Sequence, residues 1–149
     1  MAELQGLLAD AHADAMLRSV RQWIATDGLA EVMNYEEIRF VTFRDLGLPT
    51  NTPDRPLWEL CQTDGWILLT DNRNAKGQDS LQATLANRWE PGRLPVLTVG
   101  SANRFRADPA YASRCSVDAA DVLYGLRTGD GQFDQAPRLY LPRSTDFTT

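Results

Sequence analysis

The chain has 149 residues, of which 43% are hydrophobic and 23% charged, and its formal net charge at pH 7 is −5. This length predicts a single domain over residues 1–149 that needs neither disulfide nor structural metal. Its ordered core is expected at about residues 5–142, ahead of a polar C-terminal tail. The net negative charge argues against a general electrostatic affinity for nucleic acid, although it leaves local basic patches open.

Several classes of protein are disfavoured by what the sequence lacks. It has no apolar run near the ~20 residues of a membrane span, and its N-terminus has no basic residue ahead of a short apolar stretch, which argues against a secretory signal. Its two cysteines, Cys61 and Cys115, lie far apart without zinc-site spacing, and it has a single histidine, His12. The sequence contains no GxGxxG or GxxxxGK segment and therefore does not predict a nucleotide-binding site. We expect a cytoplasmic protein with no membrane association.

The first third of the chain predicts two strands around one helix. Gly6–Ala9 is a short apolar run that ends at Asp10 and predicts a buried strand. From His12 to about Thr26, apolar residues recur at the three- and four-residue spacing of an amphipathic helix. Ile38–Phe43 is rich in β-branched and aromatic residues and predicts a second strand, followed by a ten-residue loop.

The rest of the chain continues the alternation. Three helices and three strands are predicted, in the order helix Asp54–Thr63, strand Trp66–Thr70, helix Ser80 to about Asn87, strand Leu94–Val99, helix Ser116–Leu126 and strand Arg138–Leu141. Pro56 suits the first turn of its helix, and Gly65 stops that helix. Because Trp66–Thr70 is continuously apolar, it predicts a strand with both faces covered by helices.

Alternating strands and helices predict an α/β fold, a three-layer sandwich around a parallel sheet of four or five strands. In such sheets, ligand and catalytic groups gather beyond the carboxyl ends of the strands. The polar residues at these positions are Asp10, Arg44, Asp45, Asp71, Asn72, Asn74, Ser101 and Asn103.

An oxygen-rich edge of this kind can serve a hard divalent cation, because Mg²⁺ and Mn²⁺ prefer oxygen ligands and bind one or two carboxylates directly. Each residue also has a purely structural interpretation. Asp10 and Asp54 can each cap the helix that follows. Asp71 and Asp79 can be solvated loop residues, and Asn72 and Asn74 are common turn formers.

Three stretches resemble the PIN-like domains, in particular the short bacterial PIN-like proteins. Leu7-Leu8-Ala9-Asp10 is similar to the family's first strand with its aspartate. Thr52-Pro53-Asp54-Arg55 and the following Leu57–Cys61 resemble the element in which a second acid opens a helix. Trp66–Thr70 with Asp71-Asn72-Arg73-Asn74 is similar to the apolar strand that ends in T-x-D-x-D. Together with the later strands, the resemblance covers about residues 5–142.

This resemblance implies a Rossmann-like sandwich and a Mg²⁺- or Mn²⁺-dependent ribonuclease related to toxins of toxin–antitoxin pairs. Asp10 and Asp54 would be metal-coordinating acids. The chain departs from the family pattern at Asn72 and Asn74, where two aspartates are usual, so a metal site here would carry less charge and bind more weakly.

Two hypotheses follow. In the first, the chain hydrolyses RNA, with Asp10, Asp54 and Asn72 as metal ligands, Asn74 completing the catalytic set, and Arg55 or Arg73 holding a phosphate. In the second, the fold is a catalytically inactive binding or regulatory module in a protein complex, with an antitoxin-like partner. The resemblance also implies a homodimer.

Overall fold

The computed structural model of the chain describes residues 3–72, 80–129 and 132–143. Its strands are β1 (Gly6–Ala9), β2 (Arg39–Val41), β3 (Trp66–Thr70), β4 (Val96–Val99) and β5 (Arg138–Leu141). Its helices are α1 (Asp14–Thr26), α2 (Ala30–Tyr35), α3 (Asp54–Asp64), α4 (Leu81–Arg88), α5 (Ala102–Ala107) and α6 (Pro109–Thr128).

The five strands form one sheet in the order β2-β1-β3-β4-β5, and every pair is parallel. Each residue of β1, β3 and β4 is buried. Ala9 lies opposite Leu69 in the register of β1 and β3, so Asp10, which follows β1, is a neighbour of Thr70, the last residue of β3. The predicted α/β class, parallel sheet and strand count are confirmed.

Helices cover both faces of this sheet because side chains alternate along each strand. Leu7 and Ala9 of β1 pack in a core with apolar residues of α1 and α6. Leu8, between them, packs in a second core with residues of α3 and α4. We call these the α1–α6 face and the α3–α4 face, and together with the sheet they form the three predicted layers.

The turn from α3 into β3 has a steric requirement for glycine. Gly65 follows α3 in the left-handed region, with φ of 88°. A Cβ placed at Gly65 would lie 2.0 Å from the carbonyl oxygen of Glu3, so no larger residue fits without backbone movement. The sequence prediction that Gly65 ends this helix is confirmed, and the close approach to residue 3 is a reason that the sequence did not reveal.

Some elements differ from their prediction. β2 is three residues long instead of six. It is an edge strand that pairs with β1, and directly after it Thr42 and Asp45 form a hydrogen-bonded turn. α6 begins at Pro109 instead of Ser116, because the Asp108 carboxylate accepts hydrogen bonds from the amides of Ala110 and Tyr111 and so caps an earlier start. The six-residue helices α2 and α5 were not predicted.

No helix within the described ranges is both long and apolar enough to cross a membrane.

Candidate functional site

The candidate site lies at the carboxyl ends of β1 and β3, the two strands from which the sheet grows in opposite directions. From β1 the chain passes to β2 on one side, and from β3 it passes to β4 and β5 on the other. Such a reversal leaves a crevice beyond the strand ends, where parallel α/β sheets bind their ligands. Asp10 follows β1 and Asp71 and Asn72 follow β3, so the crevice is lined by polar side chains.

Asp10 continues the sheet and is held by two donors. Its backbone amide donates to the carbonyl of Leu69 at 2.9 Å. Its Oδ1 accepts from the amide of Ala11 at 2.7 Å, and its Oδ2 accepts from the hydroxyl of Thr70 at 2.8 Å. The alternative that Asp10 caps the next helix is wrong, because α1 begins at Asp14 after Ala13 and has no side-chain cap.

Thr70 connects Asp10 to the loop that follows β3. This fully buried residue donates its hydroxyl proton to Asp10, and the same oxygen accepts from the amide of Asn72 at 2.9 Å. Because both the donor and the acceptor of the hydroxyl are used, the carboxylate of Asp10 and the backbone of Asn72 hold fixed relative positions. From the sequence, Thr70 was predicted only as a strand residue, although its place two residues before Asn72 in the T-x-D-like stretch was a usable signal.

Asp54 joins the same network from the opposite side. The Nδ2 of Asn72 donates to its Oδ1 and Oδ2, at 3.3 and 3.2 Å. Its Oδ2 also accepts from the backbone amide of Leu81 at 3.0 Å. The alternative that Asp54 caps its own helix is wrong, since Pro53 holds the N-cap position of α3 without a side-chain bond. Asp54 instead binds the first amide of α4.

Arg138 fixes the backbone of Asn72 from β5. Its Nη1 donates to the carbonyl oxygen of Asn72 at 2.8 Å and to the hydroxyl of Thr98 at 2.6 Å. Its Nη2 donates to Gln82 Oε1 at 3.3 Å. The sequence predicts a strand at Arg138 but indicates no role for this residue, because nothing local shows that β5 lies two strands from β3.

The network therefore combines three of the predicted site residues, Asp10, Asp54 and Asn72. The three are half-buried, whereas Asp71 is exposed. Arg73 and Asn74 lie outside the described residues, as does Asp79. Arg55 lies one residue after Asp54 and pairs with Glu59 at 3.8 Å across a partly exposed turn of α3.

Three of the remaining polar residues at the strand ends, Asp45, Ser101 and Asn103, have structural partners. Asp45 accepts from the amide of Thr42, and this bond, with a second to the Thr42 side chain, holds the pKa of the Asp45 carboxyl below its usual range. Ser101 caps α5 by accepting from the amide of Arg104. Asn103 accepts from the guanidinium of Arg106.

Thiolate chemistry is disfavoured at both cysteines. Burial raises the pKa of the Cys61 thiol to about 12, and the negative charges of Asp64 and Asp10 add to the shift. Burial likewise raises the pKa of Cys115 to about 12, with a smaller contribution from Asp118. Both thiols therefore stay protonated at neutral pH, and neither is a ready nucleophile or metal ligand.

The network offers oxygen ligands of the type that a hard cation prefers, but it offers few of them. Across the described ranges, no cluster of three or more His, Cys, Asp or Glu side chains could hold a metal ion. Two carboxylates, one amide and one hydroxyl come together instead, and all can offer oxygen. The Asn72 amide presents nitrogen to Asp54, so a half-turn about its last side-chain bond is needed to bring Oδ1 there. That orientation would repel the carboxylate unless a cation lay between them.

Comparison of the chain with family models, with curated proteins and with solved structures found no match.

Proposed function

We propose that the chain is a Mg²⁺- or Mn²⁺-dependent ribonuclease with an atypical acidic site built from Asp10, Asp54 and Asn72. The observation that carries this proposal is the continuous hydrogen-bonded path from Asp10 through Thr70 and Asn72 to Asp54. It joins two carboxylates from distant parts of the chain at the place in the sheet where α/β proteins bind ligands.

In this proposal, each residue has a defined part. Asp10 and Asp54 would bind the cation through their carboxylates, and Asn72 would add its amide oxygen after rotation. The bound ion would activate a water molecule and offset the charge of the phosphodiester. Thr70 and Arg138 would orient Asp10 and Asn72, while Arg55 or Arg73 would hold a substrate phosphate. Asn74 would complete the catalytic set.

The test is cleavage of a fluorogenic single-stranded RNA with and without Mn²⁺. We expect slow, Mn²⁺-dependent hydrolysis that falls at least about 100-fold in Asp10→Asn, the order expected when an essential catalytic group is removed. Asp27→Asn serves as the matched control because Asp27 is exposed at the C-terminal end of α1, away from the strand ends. Equal cleavage by Asp10→Asn and the unmodified chain would refute the proposal.

A second candidate function is a metal-independent binding module within a protein complex, with an antitoxin-like partner or a second copy of the chain. The observation that favours it is the Asn72 amide, which donates to both Asp54 oxygens and so satisfies them without a cation. The two candidates differ in one property of the folded protein, namely whether Mn²⁺ stabilises it.

A further inference from the structure

A cavity of about 350 Å³ lies between the start of α1 and the corner where α5 meets α6. Its apolar wall is formed by Met16 and Trp23 of α1, Phe105 of α5 and Ala112 of α6. Met16, Phe105 and Ala112 belong to the core of the α1–α6 face, against which the partly buried Trp23 packs. The wall is therefore held in place by the core of the protein.

The polar rim of this cavity adjoins the Asp10–Asn72 network. His12 and Asp71 line the rim, two residues after Asp10 and one before Asn72. Arg106 completes it and also lines a second cavity of about 350 Å³ along Gly100 and Ser101, beyond the end of β4. Asp71 lines both cavities, so the two form adjacent sections of one surface beside the candidate site.

We propose that the first cavity binds one nucleobase of a single-stranded RNA, with a backbone phosphate of that RNA at Arg106. This inference rests on the proposed ribonuclease function and names a binding site for its substrate. The volume is at the lower end of the range for small-ligand sites, so it fits one nucleotide unit. Trp23 offers an aromatic surface for stacking, which is a common and sequence-tolerant way to hold unpaired bases.

The basic residue at the rim indicates where the backbone phosphate lies. Arg106 lines both cavities, and its exposed guanidinium, which also donates to Asn103, attracts phosphate. The phosphate is thus expected on the Arg106 side, with the base directed into the cavity. Bases within a duplex are not available to such a cavity, so the ligand is single-stranded.

The test measures binding in EDTA, where metal-dependent cleavage cannot occur, by fluorescence anisotropy of a labelled RNA hexamer. Ala15→Leu fills the cavity from an exposed position of α1 without removing core atoms. Ala86→Leu is the matched control, at an exposed position of α4 on the opposite face of the sheet. We expect Ala15→Leu to weaken hexamer binding about tenfold through loss of one base stack, and Ala86→Leu to leave it unchanged.

Two further measurements separate base from backbone recognition. A hexamer of abasic nucleotides should bind Ala15→Leu and the unmodified chain equally, because it has no base to place in the cavity. Arg106→Gln should reduce the salt dependence of hexamer binding by about 0.7 in the slope of log K against log salt, the value for one phosphate contact on a single strand.

The outcomes distinguish this inference from the ribonuclease proposal. Equal hexamer binding by Ala15→Leu and Ala86→Leu would overturn the base-binding cavity even if Mn²⁺-dependent cleavage is found. No hexamer binding by the unmodified chain would overturn it too, as would preferential binding of a tryptophan-containing peptide at the cavity. If the cavity variant weakens binding and no cleavage is found, the cavity stands as an RNA site and the nuclease proposal fails.

Discussion

The side-chain amide of Asn72 faces the carboxylate of Asp54, so an acidic side chain at position 72 would bring two carboxylates together. Asn72 donates to both oxygens of Asp54, and its backbone is held by Thr70 on one side and Arg138 on the other. An aspartate at position 72 would turn this attraction into repulsion in the absence of a cation. With a cation between the two acids, the same aspartate would supply a third negative ligand.

We therefore expect Asn72→Asp to lower the stability of the metal-free protein and to raise its affinity for Mn²⁺. The variant should melt at a lower temperature than the unmodified chain in EDTA. It should bind Mn²⁺ about tenfold or more tightly, because a carboxylate adds a negatively charged ligand where the amide is neutral. Calorimetric titration with Mn²⁺ measures the affinity. Asn87→Asp, at an exposed position near the end of α4, is the control for added charge. Unchanged Mn²⁺ affinity in Asn72→Asp would show that position 72 is not at a metal site.

At the scale of elements, the start of α4 depends on α3. Ser80 caps α4 by accepting from the amide of Ala83, and Asp54 of α3 accepts from the amide of Leu81. A helix N-terminus has unsatisfied amides that such acceptors stabilise. The same Asp54 carboxylate that faces Asn72 thus also fixes the position of the next helix.

Urea denaturation of two variants separates these roles. Ser80→Ala should lower the free energy of unfolding by about 1 kcal/mol, the usual effect of losing a helix cap, without altering Mn²⁺ affinity. Asp54→Ala should lower it by about 1–3 kcal/mol, because a partly buried amide loses its acceptor, and should also abolish Mn²⁺ binding. If Asp54→Ala is as stable as the unmodified chain, its bond to α4 makes no net contribution.

At the scale of the whole molecule, the network is a contact between segments that only the folded state brings together. The bonds from Thr70 to Asp10, from Asn72 to Asp54 and from Arg138 to Asn72 span 60, 18 and 66 residues. A ligand bound by such a set has little affinity for the unfolded chain. Binding therefore stabilises the native state by mass action.

This property decides between the two candidate functions. If the dissociation constant for Mn²⁺ is about 1 mM, then 10 mM Mn²⁺ should stabilise the protein by about 1.4 kcal/mol and raise its melting temperature by about 4 °C. The shift should disappear in Asp10→Asn, with sodium chloride matching the ionic strength. A melting temperature that Mn²⁺ leaves unchanged would favour the metal-independent binding module.

Local patterns in the chain were enough to predict most elements and the fold class. The uninterrupted apolar run Trp66–Thr70 and the pattern of Arg138–Leu141 predicted β3 and β5 with their observed ends. Ser80 and Gly65 marked a helix start and a helix end as expected. These features depend on neighbours within a few residues, which a linear sequence contains in full.

Asp10, Asp54 and Asn72 lie in one hydrogen-bonded network, but the bonds that join them were not foreseeable from the sequence. Capping of α3 was one of two interpretations of Asp54, and in the structure its carboxylate accepts from Asn72 and from the first amide of α4 instead. The approach of Arg138 was missed altogether, although its strand was predicted. The sequence by itself determined the strands, the parallel sheet and the polar strand ends. Only the tertiary structure decided which of those polar groups meet, because strand order and helix placement set contacts between residues far apart in the chain.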